Sequence, residues 1–215
     1  MKNKAIANGW DEVSIDLWEE IQEILREEGT DAIDKNVKLV GLLYDIPDEE
    51  AYNKPLNEFG EMLDGIGWLG KEPKVPNPAP GYIINNTRYI VNLNPQKILT
   101  AQYIDYQSID KDMYNNLPGI LACIMVPEGH TYNDGGYDME KVKKDIREHF
   151  RIVHALSLTR FFFQQYITLT QRSLQSLTRI LRKEMKKEKN PEKKNKIQEQ
   201  IERTQELERM FGSLA

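Results

Sequence analysis

From Tyr137 to Lys187 the apolar positions carry the strongest pattern in the chain. Val142, Ile146, Phe150, Val153 and Leu156 recur mostly three or four apart, which places one apolar stripe on a helix. Ser157 reads as an N-cap, its hydroxyl placed to accept a bond from a backbone N–H one turn on. Phe161, Phe162, Phe163, Tyr166, Ile167 and Leu169 then make a segment apolar nearly all round, predicted to be the most buried helix. Beyond Thr170 the stripe narrows to Leu174, Leu177 and Leu181 while lysine and arginine take the other faces. One helix thus starts as core and leaves as a charged arm.

The rest of the chain supplies the partners. Residues 1–9 read as a loose tail, and Ser14 as the N-cap of a helix carrying Leu17, Trp18, Ile21, Ile24 and Leu25. Gly29 ends that helix. A second helix is predicted from about Asp34 to Tyr44, and a third from about Pro55 with Leu56, Phe59, Met62, Leu63 and Ile66 inward. Four prolines between Gly70 and Gly81 predict a stiff extended connector. Tyr82–Ile84 and Arg88–Val91 flank Asn85-Asn86-Thr87, a turn triplet rich in residues that tolerate positive φ, so a β-hairpin is predicted there, ended by Pro95. A helix follows from about Ala101 to Ser108, then the apolar run Leu117–Val126 and a loop of sequence EGHTYNDGG. Lys189-Asn190-Pro191 breaks the last helical pattern, and a final helix from Glu192 to about Met210 makes a helical hairpin. Its stripe is Ile197, Ile201, Thr204, Leu207 and Phe211.

These elements predict a mainly α fold: a multi-helix domain with one small antiparallel β-hairpin and a C-terminal α-helical hairpin. The organisation reads as an N-terminal helical half (1–69), a Pro-rich connector (70–81), a β-hairpin plus second helical half sharing the same core (82–169) and a basic helical hairpin (170–215). A weak internal repeat relates Trp18-x-x-Ile21-Gln22 to Tyr103-x-x-Tyr106-Gln107, each followed by an apolar run closed by proline and an acid.

Charge sharpens the picture. The net charge of −5 divides into −11 over residues 1–72, −3 over 73–140 and +9 over 141–215. Three readings are compatible with that polarity: balance within the chain, docking between copies or onto a partner, and nucleic-acid binding. The run Arg179 to Lys196 holds nine cations and three acids, and no aromatic residue interleaves them for base stacking, which disfavours nucleic acid. Arg179, Arg182, Lys183, Lys186, Lys187, Lys193 and Lys194 are therefore the candidate partner-binding residues, facing either solvent or an acidic protein surface.

Catalytic and metal chemistry finds little footing, so a small enzyme with an unrecognised site is the least favoured of the functional readings. His149 and His154 are five apart, on different helical faces. His130 sits in a glycine-rich loop that lacks the oxygen alternation of a calcium site. Cys123 lies alone in an apolar run, without the context of a nucleophile, and a single cysteine excludes an internal disulfide. No phosphate loop, dinucleotide fingerprint or nucleophile elbow is present. No catalytic residue, cofactor, metal or small-molecule substrate is expected, and no window has the roughly 18 uninterrupted apolar residues of a membrane span.

The segments WDEVSIDLWEEIQEIL, DIPDEE and PLNEF are similar to small morphogenesis proteins of tailed bacteriophages, including those of crAss-like phages and others infecting gut Bacteroidota. YIINNTRYIVNLNPQKILTAQYIDYQ, LPGILACIMVPEG and YDMEKVKKDIREHF extend the resemblance over roughly residues 10–165. It implies a non-enzymatic structural or assembly component of a phage particle, made in the bacterial cytoplasm and carried in the virion if structural. The implied partners are other phage structural proteins, or copies of the chain in a ring. The alternative it implies is a transient tail assembly chaperone, from which the basic C-terminal hairpin departs.

Overall fold

The computed structural model describes residues 5–94, 97–109, 116–132, 134 and 137–212; the side chains of Tyr103, Gln107, Phe211 and Gly212 also lie outside the description, as does Pro95. The fold is mainly helical, with a small antiparallel sheet and a C-terminal helical pair. It divides into two compact units, Met1–Thr159 and Arg160–Ala215.

The first unit begins with packing where a loose tail was expected. Ala5 and Ala7 are buried, and the Ile6 N–H donates to the Leu43 carbonyl at 2.8 Å. Small side chains let the backbone lie close enough for that bond. Trp10 packs edge-on against Trp68, ring centroids 5.0 Å apart, and its indole donates to the Lys71 carbonyl at 2.6 Å.

Helix α1 (Ile15–Arg26) starts at Ser14, whose Oγ accepts the Leu17 N–H at 3.2 Å. α2 (Ala32–Tyr44) is capped by Asp31, whose carboxylate accepts from Ile33 and Asp34, and ends at Asp45 in the left-handed region. A short α3 (Asp48–Tyr52) precedes α4 (Leu56–Gly65). Met62 and Ile66 of this third region are buried as expected, but Leu56 is not inward: it is 86% exposed. Position sets the difference, since Leu56 is the first residue of α4 and its side chain precedes the packed turns.

A single 3₁₀ turn (Gly67–Gly70) leads into a connector without regular structure to Pro80. Its carbonyls are used: Pro76 accepts from the Ser157 hydroxyl at 2.7 Å, and Pro80 from the Val91 N–H at 2.9 Å. Strands β1 (Gly81–Ile84) and β2 (Thr87–Val91) pair antiparallel, Ile84 opposite Thr87. The turn is therefore two residues, Asn85 and Asn86, both at positive φ (47° and 60°), and Thr87 belongs to the strand. That geometry matches the right-handed twist of paired strands.

The run Leu117–Val126 changes conformation midway. α6 (Leu117–Ile124) gives way to β3 (Met125–Pro127), which pairs antiparallel with β2 and makes the sheet three-stranded. All but one residue of α6 are buried, Gly119 being the exception, so this is the most buried helix of the described structure. Ahead of it, α5 (Thr100–Ser108) sends buried Gln102 to the Cys123 carbonyl, 2.8 Å away.

α7 (Met139–His149), capped by Asp138, buries Val142 and Ile146. The helix expected to continue through Phe150 instead breaks there, and α8 (Ile152–Lys187) starts anew. At the break Phe150 is extended, its carbonyl accepts the Ile15 N–H at 3.1 Å, and Ile152 N–H donates to Val13 at 2.9 Å. Bonds from a distant segment thus replace helical ones. Ser157 is consequently no cap: it lies inside α8, and its hydroxyl finds Pro76 instead.

The second unit holds most of α8 and all of α9 (Pro191–Gly212). The expectation of an all-round buried aromatic segment fails: Phe161, Phe162 and Tyr166 are half-buried, Phe163 is exposed, and Ile167 alone of the set is fully buried. Gln164, exposed, and Gln165, half-buried, sit on the same turns, so the segment is not apolar all round.

A candidate interaction surface on the helical hairpin

Leu174, Thr178, Leu181 and Met185 recur at three- and four-residue steps along the inward side of α8. Ile197, Ile201, Thr204 and Glu208 do so along α9. Such spacing is the heptad seam of a coiled coil. The turn is fixed by side chains: Glu188 accepts from the N–H groups of Lys189 and Asn190, and the Asn190 amide oxygen accepts from Glu192 and caps α9. One polar layer crosses the seam, where the Thr178 hydroxyl donates to Glu208 at 2.7 Å. Thr178 and Thr204 are both buried.

The candidate cations lie outside this seam. Arg179, Arg182, Lys183 and Lys186 step three, four and seven residues along α8, so they form one stripe turned away from Leu174 and Leu181. All seven candidates, including Lys187, Lys193 and Lys194, are exposed. Among the described residues none of the seven is in an ion pair within 4.0 Å. Lys193 stands near Glu188, whose carboxyl is held below its usual range mainly by the Asn190 and Lys189 N–H groups. The unit carries 13 basic and 7 acidic residues, the first unit 16 and 27. Chemically the stripe can hold a multiply anionic surface, by charge-assisted hydrogen bonds that salt would weaken.

The first unit offers a contrasting surface. Glu19, Glu23 and Glu27 line an open groove of about 600 Å³ with Trp18, Gln22, Arg26 and Arg147. Glu19 meets Arg147 at 3.2 Å. Burial, outweighing Arg147, raises the Glu19 carboxyl above its ordinary range, and burial plus the charges of Asp16 and Glu23 raises Glu20.

The histidines and the cysteine are separated. His130 faces Asp134 at 3.3 Å in a loop, His149 is exposed, and His154 packs on Tyr82 and Phe150 with ring centroids 5.3 and 6.0 Å away. Burial lowers the His154 basicity and pushes the Cys123 thiol up to about 11. A thiol so protonated is a poor nucleophile. Among the described residues no group of three or more His, Cys, Asp or Glu is arranged to hold a metal ion, and no helix is long and apolar enough to cross a membrane.

Sequence reasoning marked the basic arm but missed its polar layer. Thr178 and Glu208 look like ordinary surface residues until two seams are laid antiparallel. The heptad positions they share with Met185 and Ile201 were the available signal. No protein-family model, curated protein or solved structure matches this chain.

Proposed function

We propose that this chain is a non-enzymatic structural or assembly component of a tailed bacteriophage, working through protein–protein contacts made by its basic hairpin. The observation that carries the reading is the stripe Arg179, Arg182 and Lys186, exposed and, among the described residues, outside any ion pair within 4.0 Å on a two-helix scaffold. A stripe held in close ion pairs within the hairpin would not be open to a partner. The resemblance of residues 10–165 to phage morphogenesis proteins supplies the setting.

The partner it fits is an acidic protein surface, approached by electrostatic steering. The test reverses charge at Arg179→Glu, Arg182→Glu and Lys186→Glu together, on the face away from the apolar seam. Circular dichroism checks that the hairpin remains folded, and pull-down with the phage's other structural proteins reads binding. Loss of capture, with the native interaction itself weakened by raised salt, supports the reading. Undiminished capture by the folded triple variant overturns it. Mass spectrometry of purified virions then separates the two roles: a stoichiometric copy number marks a structural protein, and absence marks an assembly chaperone.

A further inference from the structure

Each helix of the hairpin carries a second seam. On α8 it runs through Phe163, Tyr166, Thr170, Ser173, Leu177 and Ile180, again at three- and four-residue steps. On α9 it runs through Lys196, Gln200, Arg203, Leu207 and Met210. At about 100° per residue, the second seam lies on the same rotational side of the first in both helices, each viewed from its own N-terminus. Because the helices run antiparallel, both second seams fall on one face of the hairpin. The Thr178–Glu208 bond sets Leu177 level with Leu207. Leu177 and Ile180 are 44% and 51% exposed beside buried Thr178 and Leu181, and Leu207 is 42% exposed beside half-buried Glu208.

We infer that this face docks onto the same face of a second copy, completing an antiparallel four-helix bundle. The flanking charges identify the occupant. On the outer flank of α8 stand Lys183 and Lys187; on the outer flank of α9 stand Glu192 and Glu199, all exposed. A two-fold axis parallel to the helices lays α8 of one copy beside α9 of the other, so each basic flank meets an acidic one. A two-fold across the hairpin would set basic against basic. The hairpin is thus complementary to itself in one arrangement, and an isologous contact of this kind closes at two copies. The apolar seam thins towards the tip, where Glu184 follows Ile180 on α8 and Lys196 and Arg203 replace leucine on α9, so the contact centres on Leu177, Ile180 and Leu207. Arg179, Arg182 and Lys186 face the other way and stay free for the partner proposed above. The inference does not rest on that reading.

The experiment is sedimentation equilibrium on the full chain. A dimer is expected, and because its centre is apolar it persists at raised salt, where capture of an acidic partner fails. Leu177→Glu with Ile180→Glu changes exposed positions only, so the helical content should hold while the dissociation constant rises by roughly a hundredfold or more. Lys183→Glu alone and Glu199→Lys alone should each weaken association about threefold to tenfold, and together restore it. A chain monomeric at all concentrations overturns the inference. So does a dimer untouched by the Leu177/Ile180 pair, or a double charge swap that fails to restore association.

Discussion

Ser14 and Arg151 form an isolated antiparallel bridge that ties the start of α1 to the start of α8. Two backbone bonds flank it, and the Arg151 guanidinium donates to the Glu12 carbonyl. The bridge explains why α7 and α8 are separate helices: the amides and carbonyls at the break are satisfied by a segment far away in sequence. Ser14 serves twice, as bridge residue and as cap for α1. Ser14→Ala should therefore cost about 1 kcal/mol or slightly more. Chemical denaturation should show the loss; an unchanged midpoint would mean the cap is redundant to the bridge.

Core packing gives a contrast between two helices. Leu121 is fully buried in α6, and Leu121→Ala should cost about 2–5 kcal/mol. Phe162 is only half-buried, so Phe162→Ala should fall well short of the loss typical of a buried ring. Denaturation midpoints of the two variants should differ in that order.

Acid should destabilise the first unit through His154. Its folded basicity is lowered by burial, so the folded state binds fewer protons than the unfolded one. The stability it contributes is present in full above 6.5 and is lost as pH falls through 6.5 towards the lower folded value. His154→Phe keeps the ring contacts with Tyr82 and Phe150, removes a buried nitrogen that has no hydrogen bond, and should flatten melting temperature against pH in that window.

Glu19 works in the opposite sense. Its carboxyl is raised above 4.5, so its contribution is complete below 4.5 and declines as pH rises through the folded value. One of its oxygens is buried without a hydrogen bond. Glu19→Gln should melt higher than the parent at neutral pH, with the gap closing as pH drops towards 4.5. A variant that melts lower than the parent at neutral pH would show that the Arg147 contact, not burial, governs this carboxyl.

The β-turn can be tested from both directions. Asn86 sits at φ 60°, where glycine is unstrained and a β-branched side chain is not. Asn86→Gly should stabilise by a few tenths of a kcal/mol, and Asn86→Val should destabilise by about 1–2 kcal/mol. Equal melting temperatures for the two would argue that the turn does not hold the register.

Much of this architecture is legible in local chemistry. Ser14 as a cap, the turn at Asn85 and Asn86, the proline connector and the break at Asn190-Pro191 each carry their own physical signal within a few residues. What escaped reading depends on distant groups. Nothing near Phe150 announces a break, because the apolar spacing continues unchanged through Val153. The hydroxyl of Ser157 looks like a cap until Pro76 is beside it. An unbroken apolar run such as Leu117–Val126 has no periodicity to separate its helix from its strand. In the hairpin, charge showed which residues face outward, but only the pairing of α8 with α9 reveals the polar layer and the second apolar seam.

Helix α8 spans the division at Thr159, so one uninterrupted ladder of amides belongs to two compact units. Amide hydrogens near Ile152 and Ala155, buried in the first unit, should exchange only when that unit opens globally. Those near Lys187, beside the turn, should exchange through fraying of the hairpin. Protection against deuterium would then fall along a single helix in a step near Thr159, and the height of that step would measure how independently the hairpin unfolds.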